Sequence, residues 1–145
     1  MINDIEHFKA LENMYLAAPV NKYYQPKIKV SDSTSEISIV LKNSMHHSAG
    51  AVHGSVYFKL MDDSAFFAAN SLEKEYFVLT SSFTTYLLKP VVNGELTAIG
   101  RVVSKTRSQW IVESVVYNDG LEVARGSGVF VRGKYSLYEA KGYSI

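Results

Sequence analysis

The chain has 145 residues, with 15 basic and 14 acidic side chains and no cysteine. That length suits one domain able to bury a core without cross-links, and a net charge of +1 excludes a nucleic-acid binder working through a broad basic surface. The missing cysteines exclude disulfides, thiolate catalysis and cysteine-ligated metal sites.

The first segment, Asn3 to Ala17, is predicted to be a helix. Ile5, Phe8, Leu11 and Tyr15 recur at three- and four-residue spacing, which puts them on one face. Asn3 and Glu6 have the spacing of a capping box, and Pro19 ends the helix. His7 on this helix reads as a solvated surface residue. Asp4 and Glu6 precede any apolar run and no basic flank stands before it, so the segment does not read as a signal peptide.

From Lys27 to Leu41 the pattern alternates, with Ile28 and Val30 in one run and Ile37, Ile39 and Leu41 in another. The intervening Ser31-Asp32-Ser33-Thr34-Ser35 predicts a hairpin turn. Gly54 to Ser71 predicts the long central helix. Val56, Tyr57, Leu60, Met61, Ser64, Ala65 and Ala68 form a continuous stripe, while Phe58, Phe66 and Phe67 make the other side apolar too. A helix apolar nearly all round is buried on several sides. Its small residues let a sheet approach closely.

Tyr76 to Lys134 reads as a meander of four strands, turned at Asn93-Gly94 and at Asn118-Asp119-Gly120. The whole is an α+β domain over residues 1–145, an antiparallel sheet packed on one buried helix. Charges break every apolar stretch well short of the roughly 20 residues a membrane span needs. The expectation is a soluble, cytoplasmic protein with neither membrane nor nucleic acid as a partner.

The chemistry-bearing residues concentrate in His46-His47-Ser48-Ala49-Gly50-Ala51-Val52-His53-Gly54, followed by Asp62-Asp63. That loop runs into the N-terminus of the central helix, where free N–H groups and the helix dipole can hold a developing oxyanion. Gly54 leaves its N–H open to a carbonyl. Asp62 has Phe58 and Phe66 as its i−4 and i+4 neighbours, which desolvate the carboxylate and raise its basicity. Asp63 has Lys59 at i−4 and a plain salt bridge to explain it. His47, His53 and Asp62 could form a metal set, but the spacing is a poor one and no metal or other cofactor is expected. Thr80 opens a strand with Ser82 on its face. Lys105 and Arg107 form a basic turn able to touch phosphates.

This order of elements resembles the hotdog fold. Gly50-Ala51-Val52-His53-Gly54-Ser55 followed by Leu60-Met61-Asp62 is similar to the G-x-x-H-G-G…L-x-D signature of the phenylacetic-acid-degradation type of acyl-CoA thioesterases, within the 4-hydroxybenzoyl-CoA thioesterase superfamily. Val78-Leu79-Thr80 and Leu88-Lys89-Pro90 before Gly94 also fit its spacing. The resemblance implies Asp62 as catalytic base or nucleophile, the Gly54 N–H as polariser of the thioester carbonyl, His53 as the motif histidine and Thr80 as a hydroxyl that places water. His47 falls where relatives often carry asparagine, with His46 as the alternative in register, and Ser55 replaces the second glycine. Further implications are acyl-CoA hydrolysis in a homo-oligomer, dimer or dimer of dimers, with Asp62 and Gly54 from different chains. Lys105 and Arg107 would meet coenzyme A phosphates. Apart from the resemblance, Phe58 and Phe66 are candidates for the apolar lining of an acyl pocket by residue type. The alternatives are a non-catalytic acyl-CoA-binding module and a dehydratase on the same fold; the imidazole of His47 favours the first.

Overall fold

The structure is a computed structural model that describes residues 2–145. Helix α1 spans Asp4–Ala17, and its capping box is formed: Asn3 Oδ1 accepts from the Glu6 N–H at 2.9 Å and Glu6 Oε1 from the Asn3 N–H at 3.0 Å. The buried face is Leu11, Tyr15, Ala10, Met14 and His7, while Ile5 is 79% exposed. The face is therefore rotated from the one the Ile5 spacing indicates. His7 is fully buried instead of solvated. Its Nε2–H donates to the Asn70 carbonyl at 2.8 Å, and its Nδ1 lies 2.6 Å from the Tyr143 hydroxyl. Burial holds its pKa below the usual histidine range. A one-turn helix, α2 (Asn21–Tyr24), follows the bend at Pro19.

Strands β1 (Lys27–Ser31) and β2 (Thr34–Val40) form the expected hairpin, with the turn confined to Asp32-Ser33. Helix α3 spans Gly54–Asn70. Four strands complete the sheet: β3 (Tyr76–Leu87), β4 (Glu95–Lys105), β5 (Gln109–Asn118) and β6 (Leu121–Ser136). The sheet is antiparallel with order β1-β2-β4-β5-β6-β3. This is the hotdog arrangement, a curved sheet wrapped on one long helix. The meander holds only for β4, β5 and β6. β3 lies beyond β6 at the sheet edge, and β2 takes the place beside β4. Asn93-Gly94 is thus not a hairpin turn; it ends a crossover from one edge of the sheet to its middle. The reason is pairing: β3 has its full length satisfied against β6, and the Leu41 N–H donates to the Gly94 carbonyl as β4 enters beside β2.

The core lies between α3 and the concave face. Leu60, Met61, Ile37, Leu96 and Val116 fill one part, and Phe130, Val112 and Val78 pack on Ala65, Ala68 and Ala69 in another. Each large side chain so buried contributes about 1.5–3 kcal/mol. The approach is closest at Gly100, where any Cβ would overlap the Ser64 backbone. Ser35 Oγ donates to the Ser64 carbonyl at 2.6 Å, and the Ser64 and Ser114 hydroxyls meet at 2.7 Å, so the polar groups trapped there are paired. No helix among the described residues is long and apolar enough to cross a membrane.

Candidate active site

The loop before α3 is held by its backbone. Gly50, at φ +80°, closes a turn in which its N–H donates to the His47 carbonyl at 3.0 Å. The Val52 N–H donates to Val91 at 2.8 Å and the His53 N–H to Met45 at 2.9 Å. His53 then caps α3, its Nδ1 accepting from the Ser55 N–H at 3.1 Å, with the Ser55 hydroxyl 2.8 Å away. Ser55, where the resemblance expects glycine, thus works with the histidine as part of the cap. The Gly54 N–H has no protein acceptor among the described residues. A Cβ at Gly54 would come within 2.9 Å of Leu87 Cδ1, so the helix start lies directly against the end of β3.

A cavity of about 220 Å³ opens there, lined by His47, Gly54, Tyr57, Leu87 and Pro90. His47 is exposed and its Nδ1 accepts from the Ala49 N–H at 3.0 Å. His46 is engaged elsewhere, donating from Nε2 to the Val92 carbonyl at 2.7 Å. Of the two, His47 is the one beside Gly54.

Asp62 occupies a second cavity, about 340 Å³, with Thr80, Phe66, Phe77, Tyr15 and Asn21 in its wall. Thr80 Oγ1 donates to Asp62 Oδ1 at 2.8 Å. Burial raises the Asp62 pKa above the ordinary carboxylate value; the Thr80 hydrogen bond pulls it down, the Asp63 charge pushes it up, and Lys59 opposes that. The expected contrast with Asp63 is present and has an added part. Asp63 Oδ2 accepts from Lys59 Nζ at 2.8 Å and also from the Tyr15 hydroxyl at 2.6 Å. Tyr15 was legible as a core residue of α1, but nothing in the spacing joins it to Asp63.

Phe66 lines the Asp62 cavity, whereas Phe58 stacks edge-on against Phe83 with centroids 5.7 Å apart. A β-bulge between Thr80 and Ser82 sets this up. It turns Ser82 to the opposite face from Thr80, against the simple alternation, and brings Phe83 to the concave side instead. Lys105 and Arg107 lie at the β4–β5 turn. Lys105 sits over the Trp110 ring at 5.8 Å, and Arg107 lines a separate cavity with Trp110 and Arg132. The structure brings neither to Gly54. His47, His53 and Asp62 line three different cavities, so they do not form one cluster.

Two separate candidate groups therefore stand on α3, one at its first residue and one eight residues on. At about 1.5 Å per residue they are ~12 Å apart along the axis.

The profile described as Thioesterase superfamily matches residues 49–124, from the loop before Gly54 to the start of β6, and so takes in both Gly54 and Asp62. The chain belongs to the thioesterase superfamily. A protein of Sulfurisphaera tokodaii described as a candidate esterase is 28% identical over 104 residues, 70% of this chain and 77% of that protein. The E. coli PaaI protein from the phenylacetic acid degradation operon superposes with a TM-score of 0.83 at 20% identity, covering 92% of this chain and 97% of that one. A thioesterase family protein of Silicibacter pomeroyi gives 0.78 at 19% identity, covering 86% and 98%. These two likenesses are of fold. Membership in this superfamily supports thioester hydrolysis as the class of chemistry.

Proposed function

We propose that this thioesterase-superfamily protein hydrolyses an acyl-CoA thioester in a site shared by two copies of the chain. The observation that carries the reading is the division of the site along α3. A carbonyl carbon must lie about 3–3.5 Å from its nucleophile while its oxygen meets the oxyanion donor. Within one chain, Asp62 and the Gly54 N–H are too far apart to share it. The β3 edge offers the remedy. Thr80 marks the Asp62 end of β3 and Leu87 the Gly54 end. Antiparallel pairing of two β3 edges about a two-fold axis near Thr84 sets the Thr80 end of one strand beside the Leu87 end of the other, with strands about 4.8 Å apart. Asp62 of one copy then faces Gly54 of the second.

In that site the Gly54 N–H, at the positive end of α3, polarises the thioester carbonyl and receives the oxyanion. His53 holds the first turn of the helix in place. Asp62, its Oδ1 fixed by Thr80 and its basicity raised by burial, takes a proton from water as the water attacks the carbonyl carbon. The same proton returns to the sulfur as the C–S bond breaks, releasing acid and thiol. His47 lines the Gly54 side, where an imidazole can orient the attacking water. Attack by Asp62 itself on the carbonyl carbon uses the same geometry. Phe66 and Phe77 give the acyl group an apolar wall. Lys105 and Arg107 stay as candidates for the coenzyme A phosphates on charge alone.

The test is steady-state hydrolysis of a panel of acyl-CoAs. Asp62→Asn keeps the shape and removes the base, and turnover is expected to fall by about 10²–10⁴ with the melting temperature little changed. A variant that retains wild-type rates would remove the carboxylate mechanism. A wild-type protein that binds acyl-CoA without hydrolysing it would make the protein a binding module.

A further inference from the structure

Lys59 stands one turn before two carboxylates on α3. It precedes Asp62 by three residues and Asp63 by four, and both spacings bring side chains together on a helix. The helix alone therefore offers the ammonium two acceptors of the same charge. Asp63 receives it. Lys59 Nζ lies 2.8 Å from Asp63 Oδ2, whereas Asp62 has Thr80 as its hydrogen-bond partner and no ion pair among the described residues.

The choice is made by what α1 and α2 bring to the Asp63 side. The Tyr15 hydroxyl donates to the same Oδ2 at 2.6 Å, which holds the Asp63 carboxylate toward α1. The Lys59 ammonium then lies over two rings, 4.8 Å from the centroid of Tyr24 and 5.6 Å from that of Tyr15, both within the range of cation–π attraction. On the Asp62 side β3 supplies the neutral Thr80 hydroxyl. An ammonium on Asp62 would favour the charged form, lower its basicity and occupy an oxygen that must receive a proton from water. The titratable groups about Asp62 are Lys59 and Asp63 on its own helix, Tyr15 on α1 and Tyr24 on α2; the proposed pairing of copies adds His47 of the partner subunit. Lys59 is the one ammonium among them. We propose that Asp63, Tyr15 and Tyr24 are positioning residues that keep the Lys59 ammonium off Asp62, so that the Asp62 carboxylate stays free to act on water. The inference rests on the thioesterase reading for the role of Asp62 as base, and on the Lys59 contacts for the placement.

The test follows the Asp62 carboxyl by ¹³C NMR titration in the unaltered protein, Asp63→Asn, Lys59→Met and the double variant, alongside the acid limb of acyl-CoA hydrolysis. With Lys59 fixed in place the two substitutions would shift the Asp62 midpoint additively. Release of Lys59 onto Asp62 should make Asp63→Asn lower the midpoint by about one pH unit more than the same change lowers it in the Lys59→Met background. Tyr24→Leu, which alters no charge, should lower the midpoint by less, and only while Lys59 is present. Additive shifts would overturn the proposal and leave the thioesterase reading in place. A Tyr24→Leu shift that persists in the Lys59→Met background would overturn the part given to that ring. Should Tyr24→Leu not fold, the Asp63 and Lys59 variants decide the matter. Non-additive midpoints in a protein that hydrolyses no acyl-CoA would keep the placement of Lys59 and overturn the thioesterase reading; additive midpoints without turnover would remove both.

Discussion

The two edges of the sheet are built in opposite ways. β1 is five residues long, carries the exposed Lys27 and Lys29, and is packed by α1. Glu12 reaches from α1 so that its Oε2 accepts from the Val30 N–H at 2.9 Å. A short strand with lysines and a capped N–H is closed to pairing with another chain. β3 is twelve residues long and carries Leu79, Tyr86 and Leu87 at 51%, 58% and 51% exposure. An open, apolar edge of that length is a template for another strand, and Asp62 and Gly54 lie against it. The contrast teaches that one edge is closed by the chain itself while the other is left open, which is the edge the proposed pairing of two copies would use.

The largest test of that contrast blocks the open edge. The Leu88 N–H donates inward to the Val123 carbonyl at 2.9 Å, so by alternation the Thr85 N–H points outward. Thr85→Pro therefore removes a donor used only for pairing with another chain, a position where an edge strand tolerates proline. The expected result is a monomer by sedimentation and loss of turnover of about 10² or more, since each half-site loses its complement. A monomer at full activity would break the shared-site reading.

The matching change at the closed edge should act on stability alone. Glu12→Gln weakens a charge-assisted bond to the Val30 N–H and should cost roughly 1 kcal/mol in denaturant melts, with oligomeric state and turnover unchanged. An effect on activity comparable with that of Thr85→Pro would mean the two edges are not distinct in function.

The smallest effect separates the two aspartates beside the open edge. Asp62 must be ionised to act as a base, and its raised pKa places the acid limb of the rate profile above the ordinary carboxylate range. Activity is present above that pKa and is lost as the pH falls through it. The Asp63 charge contributes to the rise. Asp63→Asn should therefore move the acid limb to lower pH, with a loss in turnover far smaller than that of Asp62→Asn. A limb that moves upward, or a larger loss than Asp62→Asn gives, would reverse the roles assigned to the pair.

Much of the fold follows from local pattern. The capping box Asn3/Glu6, the stripe on α3 and the reversal at Asp119-Gly120, where φ is +50° and +83°, are decided by residues a few positions apart. The same holds for the Lys59–Asp63 pair, one helical turn in separation. The G-x-x-H-G window and Asp62 were legible as a candidate site, the window from its place before the N-terminus of α3 and Asp62 because a carboxylate is costly in an apolar helix. What the chain order could not supply was every relation that spans distant segments. β3 pairs with β6 and not β4, because strand pairing is chosen by which edges the packed helix brings together. His7 is buried because the tail at Tyr143 and the end of α3 at Asn70 close over it from far along the chain. The bulge that exchanges Ser82 for Phe83 and the Tyr15 hydroxyl on Asp63 are likewise set by packing. Local spacing fixes which residues share a face; only the assembled sheet and helix decide what that face meets.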